Sequence, residues 1–264
     1  MEIELKLAPV TREQAERVFS DPEIASCLGN RKQTNMETTY YDTEDGALRK
    51  IGWSLRLRRE GTACVCTLKG PTEELSRPEF AVTAESVGEG AALLLKDAAL
   101  PETARAAMAQ PLLPTCSARF VRTETEYDDG EGLRLCLSFD QGELQNGALR
   151  APLCELELEL LSGEAARLRV FGEHVAAKHF LPVCGESKHR RAMALAEPPV
   201  REISPFFAAS ELLNYCIRSG YVQFWIDEEK QIHYGLTALG ASVLPSRFGV
   251  DFGKSCATPP EERS

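Results

Sequence analysis

The opening stretch MEIELKLAP already carries a chemical pattern. Glu2, Glu4 and Lys6 alternate with Ile3, Leu5 and Leu7, so a strand here has one charged face and one apolar face. CELELELL at 154–161 repeats the pattern. Glu155, Glu157 and Glu159 share a face opposite Leu156, Leu158 and Leu160. Basic residues sit in other strand-like stretches: Arg56 and Arg58 in SLRLRRE, Lys69 in TLKG, Arg77 beside Glu79 in RPEF, and Lys188 with Arg190 or Arg191 in SKHRR. ARFVR offers Arg119 and Arg122, which have opposite parity, so at most one of them points the same way. Asp140 stands in SFDQGE. Taken singly, each face reads as a solvated strand surface. The same alternation in at least four strands is harder to explain by solvent, because like charges packed side by side in a sheet repel.

A closed sheet with its apolar faces outward and its charged faces inward accounts for all of them. Its lumen holds a cluster of Glu and a larger cluster of Arg and Lys. Unpartnered, those charges would cost several kcal/mol each to bury. A divalent cation on the carboxylates and a polyanion on the bases would balance them. Carboxylate oxygens suit the hard ions Mg²⁺ and Mn²⁺, and arginine grips phosphate oxygens as a fork while lysine acts as a point charge.

The elements that must position these residues follow from periodicity. A strand at 2–8 precedes a helix at about 12–19, where Thr11 and Gln14 fit a capping box. Strands are expected at TTYYDT, WSLRLRRE, ACVCTLKG and RPEFAVTAE, with Gly-containing turns between them. Residues 89–110 read as helical. ARFVRTETEYD, GLRLCLSFDQGEL and CELELELL read as strands, EAARLRVFGEHVAAKHF as a helix and SKHRRAMAL as a last strand. Trp53 differs in parity from Arg56 and Arg58, so it is expected to face away from the lumen. Cys64 and Cys66 are expected to pack outward. The fold class is therefore α+β: an eight-stranded antiparallel β-barrel with helices packed outside, plus a small α/β appendage at the C-terminal end. The expected boundaries are a tunnel domain at 1–197, a linker at 198–203, a helix–hairpin–helix appendage at 204–248 and a tail at 249–264.

Composition narrows the partners. The 264 residues carry a formal net charge of −10, which does not attract nucleic acid or an anionic membrane. No apolar run approaches the ~20 residues of a membrane span, and the acidic N-terminus lacks the basic start of a signal peptide. Nine cysteines without a CxxC suit a reducing compartment, so a cytoplasmic location is expected.

The ordered motifs resemble the CYTH proteins, also called triphosphate tunnel metalloenzymes. The family's ExExK signature stands here as Glu2-Ile-Glu4-Leu-Lys6, and the resemblance continues through YYDTEDGALRKIGWSLRLRRE, TLKG, RPEF, FDQGEL, CELELELLSGE and SKHRR, over about residues 1–196. FDQGEL with CELELELLSGE is most similar to the bacterial inorganic triphosphatase branch. The resemblance implies an eight-stranded tunnel, hydrolysis of a triphosphate and a need for Mg²⁺ or Mn²⁺. It implies metal-binding acids at Glu2, Glu4, Asp140, Glu155 and Glu157, with Glu159 extending the set. It implies phosphate-binding bases at Lys6, Arg56, Arg58, Lys69, Arg77, Arg122, Lys188 and Arg191. Glu4, Lys6 and Arg58 are expected to take part in the chemistry. Many relatives carry a histidine-rich helical domain after the tunnel; with four histidines and few residues left, none is expected here.

The expected function is cleavage of inorganic triphosphate to pyrophosphate and phosphate by direct attack of water. The alternatives are an organic triphosphatase acting on thiamine triphosphate, a class IV-type adenylyl cyclase, and a non-catalytic polyphosphate-binding module. A homodimer is left open. Residues 201–264 resemble the second half of a winged-helix module: SELLNYCIRSG as a helix, YVQFWID and QIHYGLT as a hairpin, ALGASVL as a second helix. Six Lys and Arg against eight Asp and Glu in this segment argue against DNA binding, so a protein-docking role is expected.

Overall fold

The structure is a computed structural model that describes residues 1–196, 201–203, 216–217, 220–226 and 230–237. The described residues form two compact units: 1–144 with 152–189, and 145–151 with those from 190 onward.

The first unit is built on the sheet that the alternation demands. β1 (Glu2–Leu7), β2 (Lys32–Asp42), β3 (Ser54–Glu60), β4 (Ala63–Lys69), β5 (Ser76–Arg77), β6 (Glu79–Thr83), β7 (Leu113–Asp128), β8 (Arg134–Asn146) and β9 (Leu149–Ser162) lie in the order β5-β1-β9-β8-β7-β2-β3-β4-β6. Nine strands replace the expected eight, and the cause is Pro78. It supplies no backbone N–H and interrupts the ladder, so RPEFAVT splits. β5 pairs with β1, and β6 pairs with β4. The two ends of the sheet are thus successive pieces of one stretch, and the barrel closes at that seam.

Outward faces bury the apolar half of each strand. Leu5, Leu7, Leu135, Leu137, Leu156 and Leu158 join Val18 and Phe19 of α1 (Arg12–Phe19) and Leu168 and Val175 of α6 (Ala165–His179) in one core. Each such side chain contributes about 1.5–3 kcal/mol when fully buried, which fixes which face turns outward. The capping box of α1 forms: Gln14 N–H donates to Thr11 Oγ1 at 3.2 Å, and Thr11 N–H donates to Gln14 Oε1 at 2.9 Å. A second core gathers Trp53, Leu55, Cys66 and Leu68 under α4 (Val87–Leu94) and α5 (Glu102–Met108). Trp53 and the two cysteines therefore pack outward as expected; Cys64 and Cys66 are both buried.

Two elements differ from expectation. Residues 89–110 make two helices, α4 and α5, because Pro101 caps α5 and cannot continue α4. SKHRRAMAL is not a strand but α7 (Lys188–Ala194). Its buried positions, Lys188, His189, Arg191, Ala192 and Ala194, are linked by steps of three and four, whereas a strand would have buried Arg190 with Lys188 and Ala192; Lys, Arg, Met and Ala are also good helix formers.

Gly142 on β8 sits hard against β7. A β-carbon there would lie 2.0 Å from the Arg119 carbonyl oxygen, 2.5 Å from Phe120 Cα and 2.6 Å from Phe120 Cβ. Gly142→Ala therefore has to push β8 from β7, and urea unfolding of the variant should show a loss of about 1–3 kcal/mol. An unchanged midpoint would mean that the strands separate freely.

In the second unit, β11 (Val222–Ile226) and β12 (Ile232–Leu236) form the expected hairpin, with Phe224 opposite Tyr234. Residues 201–203, expected as the end of a linker, form β10 (Arg201–Ile203), which pairs with β12. Asn146 at the end of β8 donates to the Ala192 carbonyl at 3.3 Å. The rest of the expected linker at 198–200, most of the SELLNYCIRSG helix, the ALGASVL helix and the 249–264 tail lie outside the described residues. Among the described residues, no helix is long and apolar enough to cross a membrane.

Candidate active site

The inward faces of β1, β3, β4 and β9 meet in a cavity of about 180 Å³. The β1–β9 register sets Glu4 opposite Glu159 and Lys6 opposite Glu157, while the β1–β5 register sets Glu2 opposite Arg77. Alternation then sends all six side chains into the lumen. Arg56, Arg58 and Lys69 arrive from β3 and β4, Arg122 from β7, and Lys188 from the start of α7. Of the opposite-parity pair, Arg122 lines the cavity and Arg119 is exposed.

The charges arrange themselves in two groups. Around Glu2, Lys69 Nζ donates to Oε1 at 2.6 Å and to Oε2 at 2.7 Å, and Arg77 Nε donates to Oε2 at 2.5 Å. Arg77 also bridges to Glu4 Oε1 at 2.6 Å. Deeper lie Asp140 and Glu155, both 0 % exposed. Arg122 grips Asp140 as a fork, with both bonds at 2.7 Å, and reaches Glu157 at 2.5 Å. Lys188 Nζ contacts Asp140 at 2.7 Å, Glu157 at 2.9 Å and also Glu155. Lys6 lies 3.3 Å from Glu157, 3.7 Å from Glu4 and 3.8 Å from Glu155, and so touches both groups.

A model of the CYTH domain family matches residues 1–193. This chain belongs to the CYTH family. A putative adenylyl cyclase from Hippeastrum, described as having a dominant triphosphatase activity, shares 22% identity over 75% of this CYTH chain and 98% of its own, with a TM-score of 0.52. That likeness shows the fold. A putative adenylate cyclase from Bacillus halodurans is 20% identical over 71% of this chain and 94% of its own, with a TM-score of 0.43. The capping-enzyme triphosphatase of Mimivirus is 9% identical over 67% and 88%, with a TM-score of 0.37.

Electrostatics in the CYTH lumen follow from who faces whom. Burial raises the Glu2 carboxyl, but Lys69 and Arg77 outweigh it and hold the group at about 2. Asp140 and Glu157 are likewise buried yet held low, Asp140 by Lys188 and Arg122 and Glu157 by Lys188, Lys6 and Arg122. Glu159 goes the other way. Burial, then Glu2, Glu157 and Glu4, push it up to about 7, and among the described residues it has no ion-pair partner. Burial with Arg56 and Arg77 brings Lys69 down to about 8, and burial with Arg56 and Arg122 brings Arg58 down to about 10.

The donor chemistry fits a hard divalent cation. Carboxylate oxygens of Asp140, Glu155 and Glu157 lie within 4.8 Å of one another, although Lys188 and Arg122 already offset their charge. Glu159, with Glu4 across the register and Glu2 nearby, is where negative charge lacks compensation. All six expected acids are thus brought into the lumen or directly behind it. Seven of the eight expected bases line the cavity too; the eighth, Arg191, is buried on α7 within the second unit.

Sequence reasoning missed Tyr40, Ser54, Glu60 and His189, which also line the cavity. Tyr40 shares inward parity with Thr38 on β2, a signal that needed the β2–β3 register. His189 follows Lys188 directly and was hidden by reading α7 as a strand. Its ring stacks on Tyr40 with centroids 4.8 Å apart. Burial depresses the His189 imidazole to about 4, with Asp42 opposing and Arg49 assisting. Below its ordinary value near 6.5, the unfolded chain takes up a proton that the folded chain refuses until about pH 4. The stability contributed by this group is therefore complete above pH 6.5 and lost as pH falls from 6.5 to 4, by about 3 kcal/mol. Melts of wild type and His189→Phe across that range should differ in slope; identical profiles would show that His189 is not held neutral.

Proposed function

We propose that this CYTH chain hydrolyses inorganic triphosphate to pyrophosphate and phosphate and requires Mg²⁺ or Mn²⁺. The observation that carries the reading is the composition of the cavity wall. Seven lysines and arginines face it, and the described lining includes just two ring-bearing side chains, Tyr40 and His189. Those two rings stack on each other and are 4 % and 9 % exposed, so neither offers a free face to an organic group. Trp53, the other candidate platform, is buried in the outward core.

Arg56, Arg58, Lys69, Arg77, Arg122 and Lys6 bind and orient the phosphate chain, and Lys188 stabilises charge that develops on it. Among the described residues, Arg56 Nε is buried and finds no hydrogen-bond partner, a donor suited to a phosphate oxygen. Glu4 and Glu159 with Glu2, or the deeper carboxylates, would hold a Mg²⁺ or Mn²⁺, which would supply further neutralisation of the phosphate oxygens. Water attacks the terminal phosphorus, the P–O bond to the bridging oxygen breaks, pyrophosphate leaves, and a lumen carboxylate takes the water's proton. Glu4 and Glu159 suit that last role, because each keeps an oxygen without a base against it.

The test is phosphate and pyrophosphate release from tripolyphosphate, thiamine triphosphate and ATP, with and without each metal. Preference for tripolyphosphate supports the reading. Preference for thiamine triphosphate points to an organic triphosphatase, and pyrophosphate release from ATP with a cyclic product points to a cyclase. Binding without turnover of any of them leaves a polyphosphate-binding module.

A further inference from the structure

We propose that Phe120 is a positioning residue: its ring holds Arg58, Arg122 and Lys188 in the arrangement that receives the phosphates. Three cations gather around this one ring, with Lys188 Nζ 5.2 Å, Arg58 Cζ 5.5 Å and Arg122 Cζ 5.9 Å from its centroid. All three distances fall within the range where the negative face of an aromatic ring attracts a cation, and desolvation strengthens that attraction. The inference rests on the phosphate-binding reading of the lumen.

The other partners of the three cations show why the ring matters. Arg122 and Lys188 are secured by Asp140 and Glu157. Arg58 is not. It is 4 % exposed, its Nε donates to the Thr38 hydroxyl at 3.0 Å, and its nearest carboxylate, Glu60, is 3.7 Å away. Arg56 and Arg122 repel it. A buried guanidinium so placed needs a further electron-rich neighbour, and Phe120 is in position to serve.

The strand pattern points the same way. On β2 and β7, Phe120 pairs with Met36, and Met36 lies two residues before Thr38, which faces Arg58. These are inward positions, yet Met36 and Phe120 are apolar and buried. Packing alone would accept any apolar residue at 120. Gly142 on the neighbouring strand lacks the β-carbon that would overlap Phe120 Cα and Cβ, so β8 packs close on β7 at the root of this side chain. FDQGEL thus places an acid and a glycine two residues apart, the acid on Arg122 and the glycine against the backbone at 119–120.

The experiment replaces Phe120 with mono-, di- and trifluorinated phenylalanine, which weakens the ring's negative face at nearly constant shape. The substituted full-length chains are compared for tripolyphosphate kcat/KM and for tripolyphosphate Kd by calorimetry. Both should worsen stepwise with fluorine number, roughly tenfold across the series, while the melting temperature without ligand stays level. Phe120→Leu should fall at least as far as the trifluorinated chain, and Phe120→Trp should recover toward wild type. A flat fluorine series in a wild type that binds tripolyphosphate overturns the role of the ring and leaves the functional reading intact. Wild type that binds tripolyphosphate without hydrolysing it overturns the hydrolytic reading, and the Kd series still decides the ring. No tripolyphosphate binding by wild type overturns both.

Discussion

Glu157→Gln is expected to lower kcat/KM for tripolyphosphate by on the order of 10²–10³-fold, the largest effect of any single substitution in the lumen. Glu157 is the joint between the two charge groups: Lys6 at 3.3 Å, Lys188 at 2.9 Å and Arg122 at 2.5 Å all rest on it. Glutamine keeps the shape and one acceptor but removes the charge. The three bases then lose their common anchor and drift from the positions that receive phosphate. Stability should also fall, by about 3–5 kcal/mol if the buried cations are left without compensation. The pH profile gives an independent check. Burial raises the Glu157 carboxyl, but Lys188, Lys6 and Arg122 hold it well below its ordinary range. A depressed carboxyl contributes stability that is present above its unfolded value and is lost as pH falls through the folded one, so the variant should be less acid-sensitive than wild type. Glu16→Gln is the internal control, since Glu16 pairs with Arg31 at 2.8 Å with its side chain 52% exposed and away from the cavity lining, and it should be nearly silent. Near-wild-type turnover in Glu157→Gln would remove it from the phosphate-binding machinery.

Much of this site is legible in the sequence because a strand has period two. Glu2, Glu4 and Lys6 had to share a face with one another, and so did Glu155, Glu157 and Glu159; the apolar faces opposite them could only turn outward. The same parity argument places Trp53 outside the lumen and leaves one of Arg119 and Arg122 within it. What parity cannot supply is register. Nothing local says that Glu4 meets Glu159 or that Glu2 meets Arg77, because those pairings are set by barrel closure between residues about 75 and 155 positions apart. Tyr40 and Phe120 are invisible for the same reason: an aromatic residue in a strand reads as core until its neighbours are known. α7 was misread because SKHRR is so charged that alternation and helical spacing fit it equally well. The helix emerges only from the burial of Lys188, His189, Arg191 and Ala192 around an exposed Arg190. The ninth strand was readable in principle, from the proline at the second position of RPEFAVT.

Removing divalent cation is expected to abolish hydrolysis, with a loss of at least ~10³-fold, and to weaken tripolyphosphate binding as well. The reason is charge balance in the lumen. Seven lysines and arginines line the cavity against six glutamates, and Asp140 and Glu155 behind them bring the carboxylates to eight. The bases are therefore already matched by protein acids, most visibly where Lys69 and Arg77 close on Glu2 and where Lys188 and Arg122 close on Asp140. A highly charged anion entering alone must compete with those carboxylates for the same cations. A metal ion on Glu4, Glu159 and their neighbours would relieve the competition by taking over the acids. Calorimetric titration of tripolyphosphate should thus give a markedly tighter Kd with Mg²⁺ or Mn²⁺ than in chelator. Each metal alone should raise the melting temperature, as about 2.7 kcal/mol of stabilisation is reached at a hundred times its Kd. Glu4→Gln with Glu159→Gln should abolish that thermal shift while leaving the basic residues in place. If chelator changes neither turnover nor binding, the lumen acids serve only to hold the bases apart, and the metal requirement is wrong.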